Sequence, residues 1–527
     1  MDLPALARFR GRSIPMNLTW LGSRAAGNIE PVNRNPRCRF PQTRSLLALA
    51  AALALRPALS HGGAHNAIEV ARHPAVAIEN VSIVDVVRGR IVGPRTVLIV
   101  DGRIAAIDKL GKVARSSAAL RVDGRGQFLM PALVDMHVHL FNNASHRPPN
   151  DWAFPLFIAN GVTAVREMAA IPADLPVIAR WRAAAARGEL IAPHVLSIGV
   201  PVRTGEADAV RRQVREAHAS GADFSKVFSD VGESTWRVAL QEARALRLPV
   251  CGHIPADVSL LDAAAAGQRT NEHLTQIFEA CTATESQWLA LRQGLDGAKA
   301  AQIANAQERE ILESFDSGVC ERTAAALART GQVQVPTLVL AHFEARSGRT
   351  EYRDDPRWRY LRPDEQARWA LIIDHELPAE KELAARRREV SRKIVKALHL
   401  ARVPILAGTD APMPRVYPGF SLHKELELLV EAGLSPADAL RAATFGPAEF
   451  LGLRKTRGSI AVGKRADLLL LEGNPLREIS QTQRIRAVVL DGRLLQRADL
   501  DALLAGAARS SSVPATPSSP PGDGKGK

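Results

Sequence analysis

Between residues 131 and 452, short β-rich runs alternate with helix-forming stretches, and this alternation limits the fold more than any other feature of the chain. The runs are ALVDMHVH (132–139), GVTAVREM (161–168), HVLSIG (194–199), FSKVF (224–228), LPVCGH (248–253), RTNEH (269–273), VQVPTLV (333–339) and VPILAGTD (403–410). Alanine-, arginine- and leucine-rich stretches such as Asp174–Glu189 and Glu233–Leu246 lie between most of them. Strands joined by helical crossovers run parallel, and eight such units predict a (β/α)8 TIM barrel over 131–452. An open, doubly wound sheet is the structural alternative.

The flanks have a different character. Val76–Leu110 carries short alternating runs around Asp101-Gly102, and the stretch from Gly458 to Leu495 repeats the pattern around Asp491-Gly492. Asp-Gly between alternating hydrophobic segments is a hairpin signal. Small β units must bury a face, so 76–130 and 453–508 are expected to join as one composite β-sandwich beside the barrel. The charged segment from Ala341 to Leu400 follows the seventh run and is read as a helical cover over the C-terminal rim, or else as a solvated insertion. Residues 509–527, rich in Pro, Ser and Gly, are expected to be disordered.

A formal charge of +14 raises the question of nucleic acid, but about half of that excess lies in the first sixty residues, at Arg8, Arg10, Arg12, Arg34, Arg37, Arg39 and Arg44 among others. Elsewhere basic residues mix with acids, which argues against nucleic-acid binding. Ser45–Leu55 is apolar, follows Arg37, Arg39 and Arg44, and precedes the small-x-small site Ala58-Leu59-Ser60. It is too short to cross a bilayer and has the parts of a secretory leader over 1–60. Export to the periplasm or outside the cell is therefore expected, with maturation near His61, and a cytoplasmic protein is the alternative. Beyond the leader remain Cys251, Cys281 and Cys320. Cys281 and Cys320 can pair, and Cys251 lies in an apolar run that reads as core.

The chemistry gathers where the strand-like runs end. His137 and His139 are one residue apart, so on a strand both imidazoles point to one face and can converge on a metal. Lys226, His253, His273 and Asp410 occupy corresponding places on other runs, so a barrel would turn all of them toward one rim. Arg166 can meet a substrate carboxylate or pair with Glu167 or another neighbour. His342 can reach the pocket, whereas His423 reads as structural.

These motifs together resemble the amidohydrolase superfamily, in its imidazolonepropionase-like or prolidase-like branch. The resemblance rests on PALVDMHVHL, GVTAVREM, the lysine of FSKVF, CGHIP, NEHL, AGTDAP, the stretch from Tyr417 to Leu453, and the closing GSIAVGKRADLLLLEGNPL. It implies that His137 and His139 hold one metal with Asp410, and that His253 and His273 hold a second. It also implies that Lys226, carboxylated on its amine, bridges the two divalent ions, for which zinc is expected. A bridging anion offsets the repulsion between two closely spaced dications, and burial lowers the lysine pKa as carbamate formation requires.

On that reading the expected activity is hydrolysis of an amide-like C–N bond in a dipeptide or N-acyl amino acid by a metal-bridging hydroxide, with Asp410 moving the proton. A mononuclear deaminase or a hydrolase that opens a cyclic amide is the enzymatic alternative. Against it, CGHIP is followed by Ala256 and Asp257, and not by the glutamate such deaminases use. A catalytically inactive barrel scaffold is the alternative of another class. The expected partner is a small molecule or dipeptide, with no nucleic acid and no stable membrane span, and a homo-oligomer remains open.

Overall fold

The computed structural model describes residues 73–108, 120–141, 148–346 and 351–511. The expected leader lies outside the described residues, and so does the tail beyond a final helix, Arg497–Ser511.

Five strands precede the barrel: β1 (Val76–Asp85), β2 (Arg90–Val100), β3 (Arg103–Asp108), β4 (Leu120–Asp123) and β5 (Phe128–Pro131). Three strands follow it: β13 (Leu468–Leu471), β14 (Ile485–Leu490) and β15 (Arg493–Gln496). All eight share one sheet in the order β15-β14-β13-β5-β1-β2-β3, with β4 beside β1. The joint is β5, which runs parallel to β1 on one edge and antiparallel to β13 on the other. The two chain ends thus share one β unit, although its strand pairing defines one sheet where two packed layers were expected.

The Leu468–Leu471 run explains its own composition. Leu468 and Leu470 enter a small core with Ile78, Ile99, Leu129 and Ala487, while Leu469 and Leu471 enter the main core shared with the barrel. A strand buried on both faces has no reason to alternate polar and apolar residues. Gly161 sits at this junction, where a Cβ would come within 2.6 Å of Leu469 Cδ2.

The central strands are β6 (Leu133–Val138), β7 (Val162–Glu167), β8 (His194–Pro201), β9 (Phe224–Val227), β10 (Val250–Gly252), β11 (Thr270–Glu272) and β12 (Val333–Val335). β6 to β10 form a parallel sheet in chain order, and β11 pairs in parallel with β12. Arg269 N donates to Val250 O at 2.8 Å and joins the two groups. The eighth run, VPILAGTD, is not a continuous strand. It makes single parallel bridges, Gln334↔Ile405 on one side and Val138↔Ala411 on the other. Pro404 lacks an N–H, but its carbonyl accepts from Gln334 N, and Met136 N reaches Ala407 O at 3.0 Å. The hydrogen bonds therefore return to β6, which is the order of a barrel and not of an open sheet.

The segment after β12 divides in two. Helix Pro378–Leu400 buries Val390, Ile394, Val395 and Leu398 in the main core, so it belongs to the barrel wall. Helix Pro363–Asp374 instead packs Trp369 and Ile373 against Tyr352, Leu361 and Tyr417, and Arg368 donates to Pro412 O beyond Asp410. Helix Pro378–Leu400 also sends Arg387 and Ser391 into the wall of a cavity beside His273. Between β11 and β12 lies a second helical excursion, in which Cys281 and Cys320 form a disulfide. Cys251 is free and buried, as its apolar run suggests. No helix among the described residues is long and apolar enough to cross a membrane.

Candidate metal centre

His137, His139 and Asp410 converge. The Nε2 atoms of His137 and His139 lie 3.1 and 2.9 Å from Asp410 Oδ1. Asp410 owes its position to β6, because its own N–H donates to His137 O at 2.8 Å. Its φ of +67° is left-handed, as is the +58° of His273, and such backbone in residues other than glycine tends to mark sites where geometry outweighs local preference. Gly408 permits the close approach: a Cβ there would lie 2.9 Å from His137 Cβ and 2.7 Å from Val335 Cγ1.

The other predicted ligands join the same cluster. The rings of His137 and His273 are 4.6 Å apart, and those of His253 and His273 are 4.9 Å apart. Lys226, on β9, is fully buried, with its alkyl chain against Gly252. Its Nζ finds no hydrogen-bond partner among the described residues.

Three imidazoles are fixed through Nδ1. His137 Nδ1 is 2.9 Å from Glu272 Oε2, His253 Nδ1 is 3.2 Å from Ser229 Oγ, and His273 Nδ1 is 2.7 Å from Thr337 Oγ1. Thr337 spends its hydroxyl proton on Pro336 O, so it accepts from His273 Nδ1–H and leaves Nε2 with a free lone pair. Glu272 accepts from His137 in the same way. Burial pushes His253 well below the ordinary histidine value and His273 down to about 3, so both rings are neutral. Burial also pushes the Lys226 amine down to about 8, against the pull of Glu272 and Asp410. Asp410 moves the other way: burial would raise it, but His137 chiefly holds it well below the usual carboxylate range.

This donor set fits divalent cations. His137 Nε2 and Asp410 Oδ1 stand 3.1 Å apart, yet neither makes a hydrogen bond within the described residues. Imidazole nitrogens and a carboxylate oxygen aimed together, without satisfying one another, are what a metal ion requires.

The two predicted substrate contacts are both buried. Arg166 is fully buried and donates to Glu272 Oε1 at 3.2 Å, to Thr270 Oγ1 and to Met136 O. It thus forms an ion pair with a neighbour, and that neighbour is Glu272, not Glu167. His342 is buried on helix Val339–Arg346 with its ring edge-on to Phe343. His423 is buried as well, held by Thr482 Oγ1 and Asn160 O, in agreement with its structural reading.

Sequence reasoning missed the residues that support the ligands. Asp135 accepts from His137 N at 3.1 Å, Thr409 N at 3.0 Å and Thr409 Oγ1 at 2.6 Å, tying β6 to the eighth run. Glu167 accepts from Leu140 N and Ala169 N just beyond His139, and burial raises it to about 7. The available signal was a charged residue inside an otherwise apolar strand run, as in VDMHVH, VREM and TNEH.

A second group, His194, Asp467 and Asp491, gathers where β8 begins beside the sheet. Arg457 and Arg465 pair with its two carboxylates, which marks an ion-pair network between barrel and sheet.

The amidohydrolase family model matches residues 128–495, so the barrel and the closing strands of the sheet fall inside one family match. The chain belongs to the amidohydrolase family. Adenine deaminase 2 of Rhizobium etli is 34% identical over 143 residues, covering 24% of this chain and 23% of that protein. The match thus spans about a quarter of that curated relative. Among solved structures, a bottromycin amidohydrolase superposes with a TM-score of 0.63 at 23% identity, covering 83% of this chain and 91% of the other. A putative prolidase from Bifidobacterium longum gives 0.56 at 22% identity, covering 83% and 100%. At these identities the two structures establish the fold.

Proposed function

We propose that the protein is a metal-dependent hydrolase of amide-like C–N bonds, acting on a dipeptide or an N-acyl amino acid. The observation that carries this reading is Lys226. A lysine buried among metal-type ligands, without a hydrogen-bond partner among the described residues, has only the Phe228 ring, 5.1 Å from Nζ, and the pull of Glu272 and Asp410 to offset its charge. Carboxylation of the amine turns it into an anionic oxygen ligand, and burial favours the free amine that this reaction needs.

On this reading His137, His139 and Asp410 would hold one divalent ion, His253 and His273 would hold a second, and carboxylated Lys226 would supply an oxygen ligand to the pair. Zinc suits the nitrogen and oxygen donors. When bound, such ions polarise an amide carbonyl and lower the pKa of water. Asp410 is placed to hold a proton on Oδ2 while Oδ1 faces His137 and His139, and to deliver it to a departing amine. Glu272, Ser229 and Thr337 keep three rings oriented through that transfer.

One-metal deaminase chemistry is the second reading. It is favoured by the tightness of the His137–His139–Asp410 group and by the aligned segment of adenine deaminase 2. Metal analysis of purified protein, followed by assay of metal-replete protein against dipeptides, N-acyl amino acids and aminopurines, separates the two. Two ions per chain and amide cleavage support the first reading, and one ion with ammonia release from an aminopurine overturns it. Export is proposed as well, supported by the Cys281–Cys320 disulfide, since such bonds persist in oxidising compartments. Protein recovered from the cytoplasm of the native host with residues 1–60 intact would reject it.

A further inference from the structure

A cavity of about 320 Å³ opens beside His273, and its wall includes Ser229 and Thr337, the hydroxyls that orient His253 and His273. It therefore adjoins the reaction centre proposed above. One side is apolar, with Ile311 and Leu340. The polar side is rich in acceptors, with Glu279, Glu308 and Glu344. Gln276 is 6% exposed, and its Oε1 is buried without a hydrogen-bond partner among the described residues. Its backbone is left-handed, with φ +60°.

The charged groups do not cancel. Arg387 lines the cavity but is paired on both sides: its Nη2 reaches Glu308 Oε2 at 2.8 Å, its Nε reaches Glu308 Oε1, and its Nη1 reaches Glu344 Oε2 at 2.9 Å. Glu279, also in the wall, is matched by buried Arg292 at 2.9 Å. Three carboxylates thus face two guanidiniums, which leaves one negative charge and one buried amide oxygen unanswered. Among the described residues that line the cavity, a carboxylate ligand would find no free cation. A cationic donor on an apolar stem would satisfy both deficits.

We propose that this cavity is a specificity pocket for a substrate side chain ending in a cation, of the lysine or arginine kind, next to the scissile amide. Gln276 Oε1 accepts one N–H of the cation, and the Glu308–Arg387–Glu344 group supplies the compensating charge. The inference rests on the amide-hydrolase reading for its position relative to the scissile bond, but not for the binding itself.

Two measurements on the metal-replete full chain test it. In the first, glycyl-lysine, glycyl-norleucine and glycyl-glutamate are compared as substrates. Lysine should exceed norleucine by about tenfold or more in kcat/KM, the worth of one charge-assisted contact. Glu344→Gln should bring the ratio to about one, and Gln276→Leu should raise KM for the lysine substrate more than it lowers kcat. In the second, calorimetry should detect butylguanidinium binding to the wild type, weakened in Glu344→Gln, with 1-pentanol as the uncharged control. If amides are cleaved without a lysine preference, or if Glu344→Gln keeps that preference, the pocket inference fails and the hydrolase reading stands. If no amide is cleaved but butylguanidinium binds in a Glu344-dependent way, the pocket stands and the hydrolase reading fails. If neither cleavage nor binding is seen, the pocket inference is overturned.

Discussion

Glu272 and His137 are 135 residues apart in sequence, and Glu272 Oε2 lies 2.9 Å from His137 Nδ1. The other carboxylate oxygen takes the Arg166 guanidinium at 3.2 Å and the Thr270 hydroxyl at 2.5 Å. All four groups are buried. Burial alone would raise the Glu272 carboxyl, but Arg166 and His137 hold it far below its ordinary value, so it stays ionised. The carboxylate sets the tautomer of His137 from beneath, and Nε2 is left to face Asp410.

Glu272→Gln should therefore weaken metal binding at the His137 site by about 10- to 100-fold, the usual effect of removing a carboxylate behind a ligating histidine. It should also lower stability, because Arg166 would keep a buried charge without its partner. Metal titration and thermal unfolding read the two effects separately. Unchanged metal affinity would show that Glu272 serves only Arg166.

The clustered side chains were legible in the sequence, and their supports were not. His137 and His139 announce themselves through the period of a strand, and Lys226, His253, His273 and Asp410 through their place at the ends of runs. A supporting carboxylate such as Glu272 or Asp135 carries no comparable signal, because its partner is far away in the chain. The eighth run was legible as an element, although Pro404 and the turn into Asp410 reduce it to single bridges. Pro378–Leu400 reads as solvated because its charged face dominates the composition, while the residues that dock it, Val390, Ile394, Val395 and Leu398, are few. The short Leu468–Leu471 strand reads as one strand either way, and only the packing shows that both faces are covered.

Gly408→Ala should be costly at a distance from any ligand atom. The added methyl would meet His137 N at 3.0 Å and His137 Cβ at 2.9 Å, both on β6, so the eighth run must move away from the strand it closes. Overpacking of this kind costs about 1–3 kcal/mol. The shift would also draw Asp410 away from His137, so lower metal occupancy should accompany the lower melting temperature. A variant with normal metal content would show that the barrel seam adapts.

Asp467 links stability to acid. Burial would raise its carboxyl, but His194, Arg457 and Arg465 hold it down to about 2. A carboxylate depressed in the folded state contributes stability that is present above its unfolded value, about 3.8, and is lost as pH falls through about 2. The sheet should therefore loosen from the barrel as pH drops across that window. Asp467→Asn should remove that part of the acid dependence and lower stability at neutral pH. Denaturant unfolding at pH 7, 4 and 2.5 measures both, and parallel pH profiles for the two proteins would rule the linkage out.

Lys226→Ala tests the centre itself. Removing the side chain takes away the group proposed to become the shared oxygen ligand, and His253 and His273 alone should hold a second dication weakly. Metal content should fall from two ions toward one, and amide hydrolysis should be suppressed. Short carboxylic acids, which can place oxygen atoms in the vacated space, should restore part of the activity. In the unaltered protein, bicarbonate added with metal to the metal-free chain should speed activation, because the amine must capture carbon dioxide before it can ligate. The amine is held near 8 by burial, so its reactive free-base fraction grows as pH rises toward and past that value. Activation should accordingly be faster at pH 8.5 than at pH 6.5 at equal dissolved carbon dioxide. A Lys226→Ala protein that keeps two metals and near-normal turnover would make the lysine structural and remove the basis for the two-metal reading.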